Sequence, residues 1–151
     1  MSFNALPDDY SNLKLEASGF WPELEVAELQ KIYRLPAEYT GELLVNHLRL
    51  ARSWAVRLLA AWAAGKQAEG FAAIADVPFA GLPGEALNIF KEAVFCQAKA
   101  LMLAQFATVD RREAAKNEAK EAPESADVFF ARANNAIADL LGGGRIKVAL
   151  V

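Results

Sequence analysis

Glycine and proline residues interrupt the chain at residues 68–85, between two long apolar segments, and no helix can continue through them. Gly70 can take the left-handed conformation that ends a helix. Pro78 lacks a backbone donor and restricts Val77 to extended conformations. Five side chains of this stretch are too apolar for a loop in water: Phe71, Ile74, Val77, Phe79 and Leu82. The pattern predicts a buried corner that packs onto the two long helices it joins.

The segment before the corner has the apolar spacing of one long helix, from Thr40 as N-cap to Glu69. One face carries Leu44, Leu48, Ala51, Ala55, Leu58 and Trp62. A second apolar strip lies beside it, formed by Leu43, His47, Leu50 and Trp54. An apolar surface this wide exceeds what one neighbouring helix covers.

A second long helix is predicted from Glu85 to Ala107, and a last helix from Ser125 to Leu141. The polar side of the second helix is thin, so we expect this helix to be the most enclosed element; that side consists of Asn88, Lys91, Glu92 and Lys99. Gly142 begins a triple glycine that ends the last helix. The predicted fold class is all-α, a small helical bundle of a single domain with two long antiparallel helices, a third C-terminal helix and a C-terminal extended strand.

The remaining segments are expected to be less regular. Residues 1–22 are interpreted as an irregular arm whose last residues anchor onto the body, and a short helix follows over 23–33. Residues 110–124 alternate in charge without an apolar stripe, which is typical of a charged connector. Residues 145–151 are rich in β-branched side chains and are predicted to form a strand without a hairpin partner.

Composition excludes several classes of protein. The net charge of −3 disfavours a dedicated nucleic-acid clamp, which is usually basic. A single cysteine, Cys96, excludes an internal disulfide and a cysteine-based metal cage. No apolar run is long enough to span a membrane, and the first residues lack a signal-peptide pattern, so synthesis in a cytoplasm is expected. The apolar share of 54% lies above the usual ~45–50%, which indicates burial against other chains.

The sequence offers no set of residues for catalysis, so no enzyme activity, cofactor or metal is predicted. His47 lies on an apolar strip and is interpreted as a core or interface residue. Cys96 has no second cysteine or histidine nearby and is interpreted as a structural thiol. Trp54 and Trp62 could stack on bases beside the arginines of the same helix, but packing is the favoured interpretation. The predicted subunit-packing residues are Leu50, Trp54, Trp62 and Phe106.

Charge is distributed unevenly along the chain. Residues 1–30 hold six acidic side chains and one lysine, whereas residues 31–70 hold six basic side chains and three acidic ones. This asymmetry could match the acidic segment of one copy to the basic helix of the next in a ring. Solvated surface is the alternative.

The corner and the helix after it carry an ordered set of short motifs. They are Gly70-Phe71, Ile74-Ala75-Asp76-Val77-Pro78, Gly84-Glu85, Phe90, Ala93-Val94 and Val109-Asp110. In this order the motifs resemble the head completion proteins of tailed phages, the gene-product L family. The likeness is strong over residues 68–110 and looser over 40–67 and 125–151, and Ile74 stands where the family has leucine.

The resemblance implies a structural virion protein of the neck, made in the cytoplasm of a bacterial host. Proteins of this family join the portal vertex after DNA packaging, form a ring below it, seat tail-joining proteins and help to retain the DNA. The implied partners are further copies in a ring of about twelve, the portal protein, and a downstream head-tail joining or tail terminator protein. Packaged DNA would pass through the ring, and no membrane is involved.

The C-terminal tail is predicted to bind the portal by adding a strand to a sheet edge. Its residues are Ile146, Lys147, Val148, Leu150 and Val151. The alternative is a tail that pairs with nothing. For the whole chain, the alternative function is a helical regulator or chaperone-like dimer that contacts nucleic acid or a client through Arg49, Arg52 and Arg57.

Overall fold

The computed structural model describes residues 12–33, 35, 39–105 and 125–142. Within them the chain is mostly helical with a small two-stranded sheet, which confirms the mostly-α prediction. The elements are β1 (Lys14–Leu15), β2 (Leu24–Glu25), α1 (Val26–Ile32), α2 (Gly41–Leu58), α3 (Ala60–Ala68), a 3-10 turn (Ile74–Asp76), α4 (Glu85–Gln105) and α5 (Ala126–Leu140). None of the described helices combines the length and apolar character needed to cross a bilayer.

The N-terminal arm is more ordered than its composition predicts. β1 and β2 pair antiparallel, with Leu15 opposite Leu24, and the chain turns between them where Ser18 and Trp21 exchange backbone hydrogen bonds. The prediction of an irregular arm is therefore wrong for 14–21, because strands of two residues are too short to give an alternating pattern. Phe20 is buried, as expected for the anchor of this segment. The short helix predicted over 23–33 begins only at Val26, since Leu24 and Glu25 form β2.

Two consecutive helices replace the single long helix predicted over 40–69. Thr40 caps α2 as predicted, since its hydroxyl oxygen accepts the Leu43 N–H at 3.2 Å. The helix breaks at Leu59, whose backbone (φ −98°, ψ 7°) leaves the helical region. Leu59 is fully buried, and its N–H still bonds Ala55, so the apolar spacing runs on across the break. Periodicity alone could not reveal it.

The corner is buried only in part. Ile74 and Val77 belong to the core, and Gly70 has the positive φ expected at a helix end. Phe79 and Leu82 exchange backbone hydrogen bonds of 3.0 and 2.8 Å around a tight turn, in which Ala80 and Gly81 both have positive φ. This turn leaves Leu82 56% exposed, so the prediction that Leu82 is buried is wrong.

α4 forms the centre of the core, as predicted. Phe90 and Phe95 are almost fully buried, and Trp21 stacks on Phe90 with ring centroids 5.0 Å apart. Lys99 was expected on the polar side, yet it is only 2% exposed, and its ammonium lies 4.8 Å from the centroid of the Phe129 ring. The aromatic face attracts the cation and lets its aliphatic stem pack in the core.

α5 packs along α4 and has the ends that the sequence predicts. The Ser125 hydroxyl accepts the Asp127 N–H at 3.2 Å and caps the first turn. Gly142 follows the helix with φ 73°. The residues of α5 that face α4 are buried: Phe129, Ala133, Ala136, Ile137 and Leu140.

Several predictions fall outside the described residues. These are the end of the second long helix beyond residue 105, Phe106 as a packing residue, the charged connector over 110–124 and the tail strand over 145–151.

Candidate functional site

An apolar ridge follows the outer flank of α2. It consists of Leu50, Trp54 and Leu58, which are spaced four residues apart and therefore share one side of the helix. Leu50 and Leu58 are 43% and 45% exposed, and Trp54 is half-buried against the core. Leu58 was predicted on the inward face, but the drift of a 3.6-residue turn carries it outward. A row of large apolar side chains on one exposed side of a helix is a candidate contact surface.

Trp62 has a different role from the ridge. It lies on α3 and meets the edge of the Phe20 ring at 6.0 Å between centroids, so part of its surface is covered within the chain. Of the four predicted subunit-packing residues, Leu50 and Trp54 thus share one surface, Trp62 lies beyond the break at Leu59, and Phe106 is outside the described residues.

Two of the three arginines of α2 are held by groups of their own chain. Arg52 donates to the backbone oxygen of Glu16 at 2.8 Å, and Arg49 donates to the Asn46 side chain at 2.9 Å. Helical geometry places Arg49 between Arg52 and Arg57, and the three span about 140° around the helix. Because two of them are already engaged, this arc gives no specific support to nucleic-acid binding through the three arginines.

The motif residues of the corner hold the backbone in place. Gly70 and Gly84 have φ values of 104° and 71°, which favour glycine. A Cβ at Gly84 would lie 3.5 Å from the Ala75 carbonyl oxygen, an ordinary contact distance, so the positive φ is the main constraint at this position. Val77 is buried, whereas Asp76 and Pro78 are exposed. These roles are structural, and the motif therefore identifies the fold of the corner.

A carboxylate on α4 collects hydrogen bonds from three elements. Glu92 Oε1 accepts Tyr33 Oη at 2.6 Å, Cys96 Sγ at 2.7 Å and a guanidinium nitrogen of Arg132 at 2.9 Å. Beside it, Lys91 pairs with Glu28 of α1 at 3.0 Å. α1 and α5 are therefore both pinned to α4 at this level, which sequence periodicity could not predict.

The pKa values in this cluster follow from burial and hydrogen bonding. Burial and the bond to Glu92 raise the pKa of the Cys96 thiol to about 12, so the thiol stays protonated and unreactive. Burial, together with bonds to Cys96 and Glu92, raises the pKa of Tyr33 well above its usual range. Burial pushes the pKa of Glu92 upward, but the Cys96 and Tyr33 bonds and the Arg132 charge outweigh it and hold the pKa below its usual value.

The same cluster borders an open cleft between α4 and α5. Its volume is about 390 Å³, and Ile89 and Ala136 are the apolar residues of its lining. Among the described residues, the lining also holds three carboxylates, Glu85, Glu92 and Asp139, and one cation, Arg132, which pairs with Glu92. The amide of Asn88 donates to Glu85 at 3.0 Å. The cleft is therefore an acidic groove, with Glu85 as its one motif residue.

The described residues hold no obvious catalytic or metal-binding arrangement. His47 is buried, and its Nδ1–H donates to the Leu43 carbonyl at 2.9 Å, which agrees with a structural role. Within the part of the chain that the structure describes, no group of three or more His, Cys, Asp or Glu side chains could hold a metal ion.

Comparisons with known proteins agree with one another. The model of the phage head completion protein (GPL) family matches residues 15–151. A probable head completion/stabilization protein of Haemophilus phage HP1 (strain HP1c1) is 28% identical over 151 residues, which cover 99% of each chain. No solved structure gives a significant match.

Proposed function

The chain belongs to the phage head completion protein family, and we propose that it acts as a ring-forming adaptor on the portal vertex once DNA has been packaged. The ring joins the head to the tail-connector proteins of the neck and helps to retain the packaged DNA. The family is one of structural virion components, and a relative of nearly equal length bears the name of a head completion/stabilization protein.

The apolar ridge on α2 is the observation that carries the proposal. Leu50 and Leu58 are close to half exposed and form one row with Trp54 along α2, whereas Ile32 and Val128, the exposed large apolar residues of α1 and α5, lie on separate helices. Aromatic residues are enriched at the buried centre of protein interfaces, and tryptophan, here Trp54, is among the side chains that contribute most to binding. A protein that works inside a particle can expose such a surface because its neighbours cover it.

Side-by-side packing through this ridge would close a ring. The ridge lies on one flank of the molecule, so a neighbour that covers it does so with a different surface. Contacts of this head-to-tail kind generate rings when the rotation between copies closes. The number of copies would follow the symmetry of the portal, for which twelve was the expectation from the resemblance.

The C-terminal tail supplies the contact with the portal in this proposal. In a strand, Ile146, Val148 and Leu150 would share one face, and Lys147, Ala149 and Val151 would share the other. An added strand gains affinity from backbone hydrogen bonds and register from alternate side chains.

Complementation of a phage that lacks this gene tests the adaptor role. Wild-type protein supplied in trans should restore infectious particles, and cryo-electron microscopy of those particles should place it in a ring below the portal. Leu50→Gln with Leu58→Gln should keep the protein folded but lower the titre at least tenfold. A wild-type titre for the folded double variant, or particles without the chain at the neck, would refute the proposal.

Deletion of 145–151 separates portal binding from ring packing. The truncated protein should keep the thermal unfolding midpoint of the full chain, yet it should no longer co-purify with the portal. Unchanged portal binding would show that the tail does not bind the portal, and the proposed ring contact would still stand.

A further inference from the structure

We infer that the acidic cleft between α4 and α5 of one copy receives the apolar ridge of the neighbouring copy, with Arg57 as the cation that enters the cleft. This inference rests on the proposed function and names the second surface of the ring contact. The occupant is a second copy of this chain, placed head-to-tail.

Arg57 is positioned to accompany the ridge into a groove. It follows Trp54 by three residues and immediately precedes Leu58, so its side chain flanks the ridge on the solvent side. Arg57 is exposed, and among the described residues it makes no ion pair. Arg49 and Arg52, in contrast, donate to groups of their own chain.

The cleft has the complementary composition. Glu92 pairs with Arg132, while Ile89 and Ala136 add apolar side chains to the lining. Glu85 is bonded by a neutral amide and, within the part of the chain that the structure describes, forms no ion pair, so it offers a negative charge to an entering cation. A cleft of about 390 Å³ has room for a leucine side chain with an arginine at its rim.

The spacing of the ridge residues also suits a groove between two helices. A helix that lays an apolar face with anchors at i and i+4 into a groove between two helices is a recurring mode of recognition. Trp54 and Leu58 supply this spacing, and the groove runs between α4 and α5. Because the ridge and the cleft belong to different elements, each copy can use both at once, which a ring requires.

A charge exchange between the two surfaces tests the inference. Arg57→Glu and Glu85→Lys, each supplied alone to the phage that lacks the gene, should lower the titre at least tenfold through like-charge contacts. Supplied together as an equal mixture, they should recover most of the titre in rings where the two variants alternate. The reversed charge at position 57 of one variant then meets the reversed charge at position 85 of the other, and the next contact pairs the native Arg57 with the native Glu85. Arg49 lies about 100° or more around α2 from each ridge residue, so Arg49→Glu carries the same charge change and should stay at the wild-type level.

The outcomes separate this inference from the function on which it rests. If Glu85→Lys alone gives a wild-type titre, or if the mixture fails to recover while both proteins unfold at the wild-type temperature, the cleft is not the acceptor. The adaptor role would still be supported if cryo-electron microscopy places the chain in a ring below the portal. If the wild-type chain is absent from the neck, the proposed function itself fails.

Disulfide trapping gives a readout that does not depend on tolerance of reversed charges. The variant with Arg57→Cys and Glu85→Cys, oxidised within assembled particles, should form a ladder of covalent trimers and larger products. The control variant with Arg49→Cys and Glu85→Cys should remain monomeric under the same oxidation. Absence of the ladder, or dimers alone, would overturn the head-to-tail pairing of ridge and cleft.

Discussion

α4 and α2 are both long amphipathic helices, yet they are covered to very different degrees. α4 buries ten of its 21 residues and receives side chains from the N-terminal hairpin, α1, α2 and α5. α2 buries six of its 18 residues and leaves Leu50 and Leu58 near half exposure on one flank. α4 therefore provides most of the stability of one copy, while α2 keeps an apolar flank that the proposed ring would cover.

A truncation in α4 gives the largest expected effect on folding. Phe90→Ala removes a fully buried ring that stacks on Trp21, and we expect a loss of about 3–5 kcal/mol in the free energy of unfolding. Urea titration followed by circular dichroism measures it. Leu82→Ala, at the exposed turn, is the control and should change little. A loss below about 1 kcal/mol for Phe90→Ala would contradict the central place of α4.

Removal of the shared carboxylate should cost less. Glu92→Ala leaves the Tyr33 hydroxyl and the Cys96 thiol without their acceptor and releases Arg132, so we expect a loss of about 1–3 kcal/mol in the free energy of unfolding. The comparison variant is Glu25→Ala, an exposed carboxylate of β2. Equal losses in the two variants would show that the cluster does not hold α1 and α5 to α4.

The same carboxylate predicts a pH dependence. The pKa of Glu92 is depressed in the folded chain, so its contribution is present above the unfolded value of about 4.3 and is lost as the pH falls through the folded pKa. The difference in unfolding free energy between wild type and Glu92→Gln should therefore shrink on acidification below about pH 4. A difference that stays constant from pH 7 to pH 3 would contradict the assigned shift.

A gain of stability is expected at the corner. Ala80 has φ 51° and precedes Gly81, a pair of positive φ values that hairpin turns usually fill with Asn-Gly. Ala80→Asn should raise the free energy of unfolding by about 0.5–1 kcal/mol, because asparagine tolerates this conformation better. Ala75→Asn, exposed without a positive φ, provides the matched control. A destabilised Ala80→Asn variant would show that the turn is not held as described.

The smallest effect on folding is expected at the ridge. Leu58→Gln should change the free energy of unfolding of the isolated chain by less than about 1 kcal/mol, since nearly half of its side chain already meets solvent. Its effect should be confined to particle assembly. A loss as large as that of Phe90→Ala would mean that the ridge belongs to the core, and the division between α2 and α4 would collapse.

Local signals in the sequence predicted the ends of several helices. Thr40 and Ser125 cap helices where they were expected, and Gly70 and Gly142 follow helix ends with positive φ. Such caps depend on a few neighbouring residues, so one sequence is sufficient to find them. The ordered motifs of the corner predicted the family in the same way, and the family model that confirms it matches residues 15–151.

Contacts between residues that are far apart in the sequence could not be predicted from such local signals. Tyr33 reaches Glu92 across 59 positions of sequence, and Arg52 reaches Glu16 across 36. The break at Leu59 is concealed because a buried residue continues the apolar period. The burial of Lys99 depends on a ring from α5 that periodicity within α4 does not contain. The acidic cleft likewise exists only once α4 and α5 are paired.

The placement of the three tryptophans gives the molecule its own optical reporters. Trp21 stacks on a core ring, whereas Trp54 sits on the ridge. A variant that keeps only Trp21 would shift its fluorescence on unfolding, and one that keeps only Trp54 would respond when a second molecule arrives. The emission wavelength of one variant would then report folding, and that of the other would report association, without an added label.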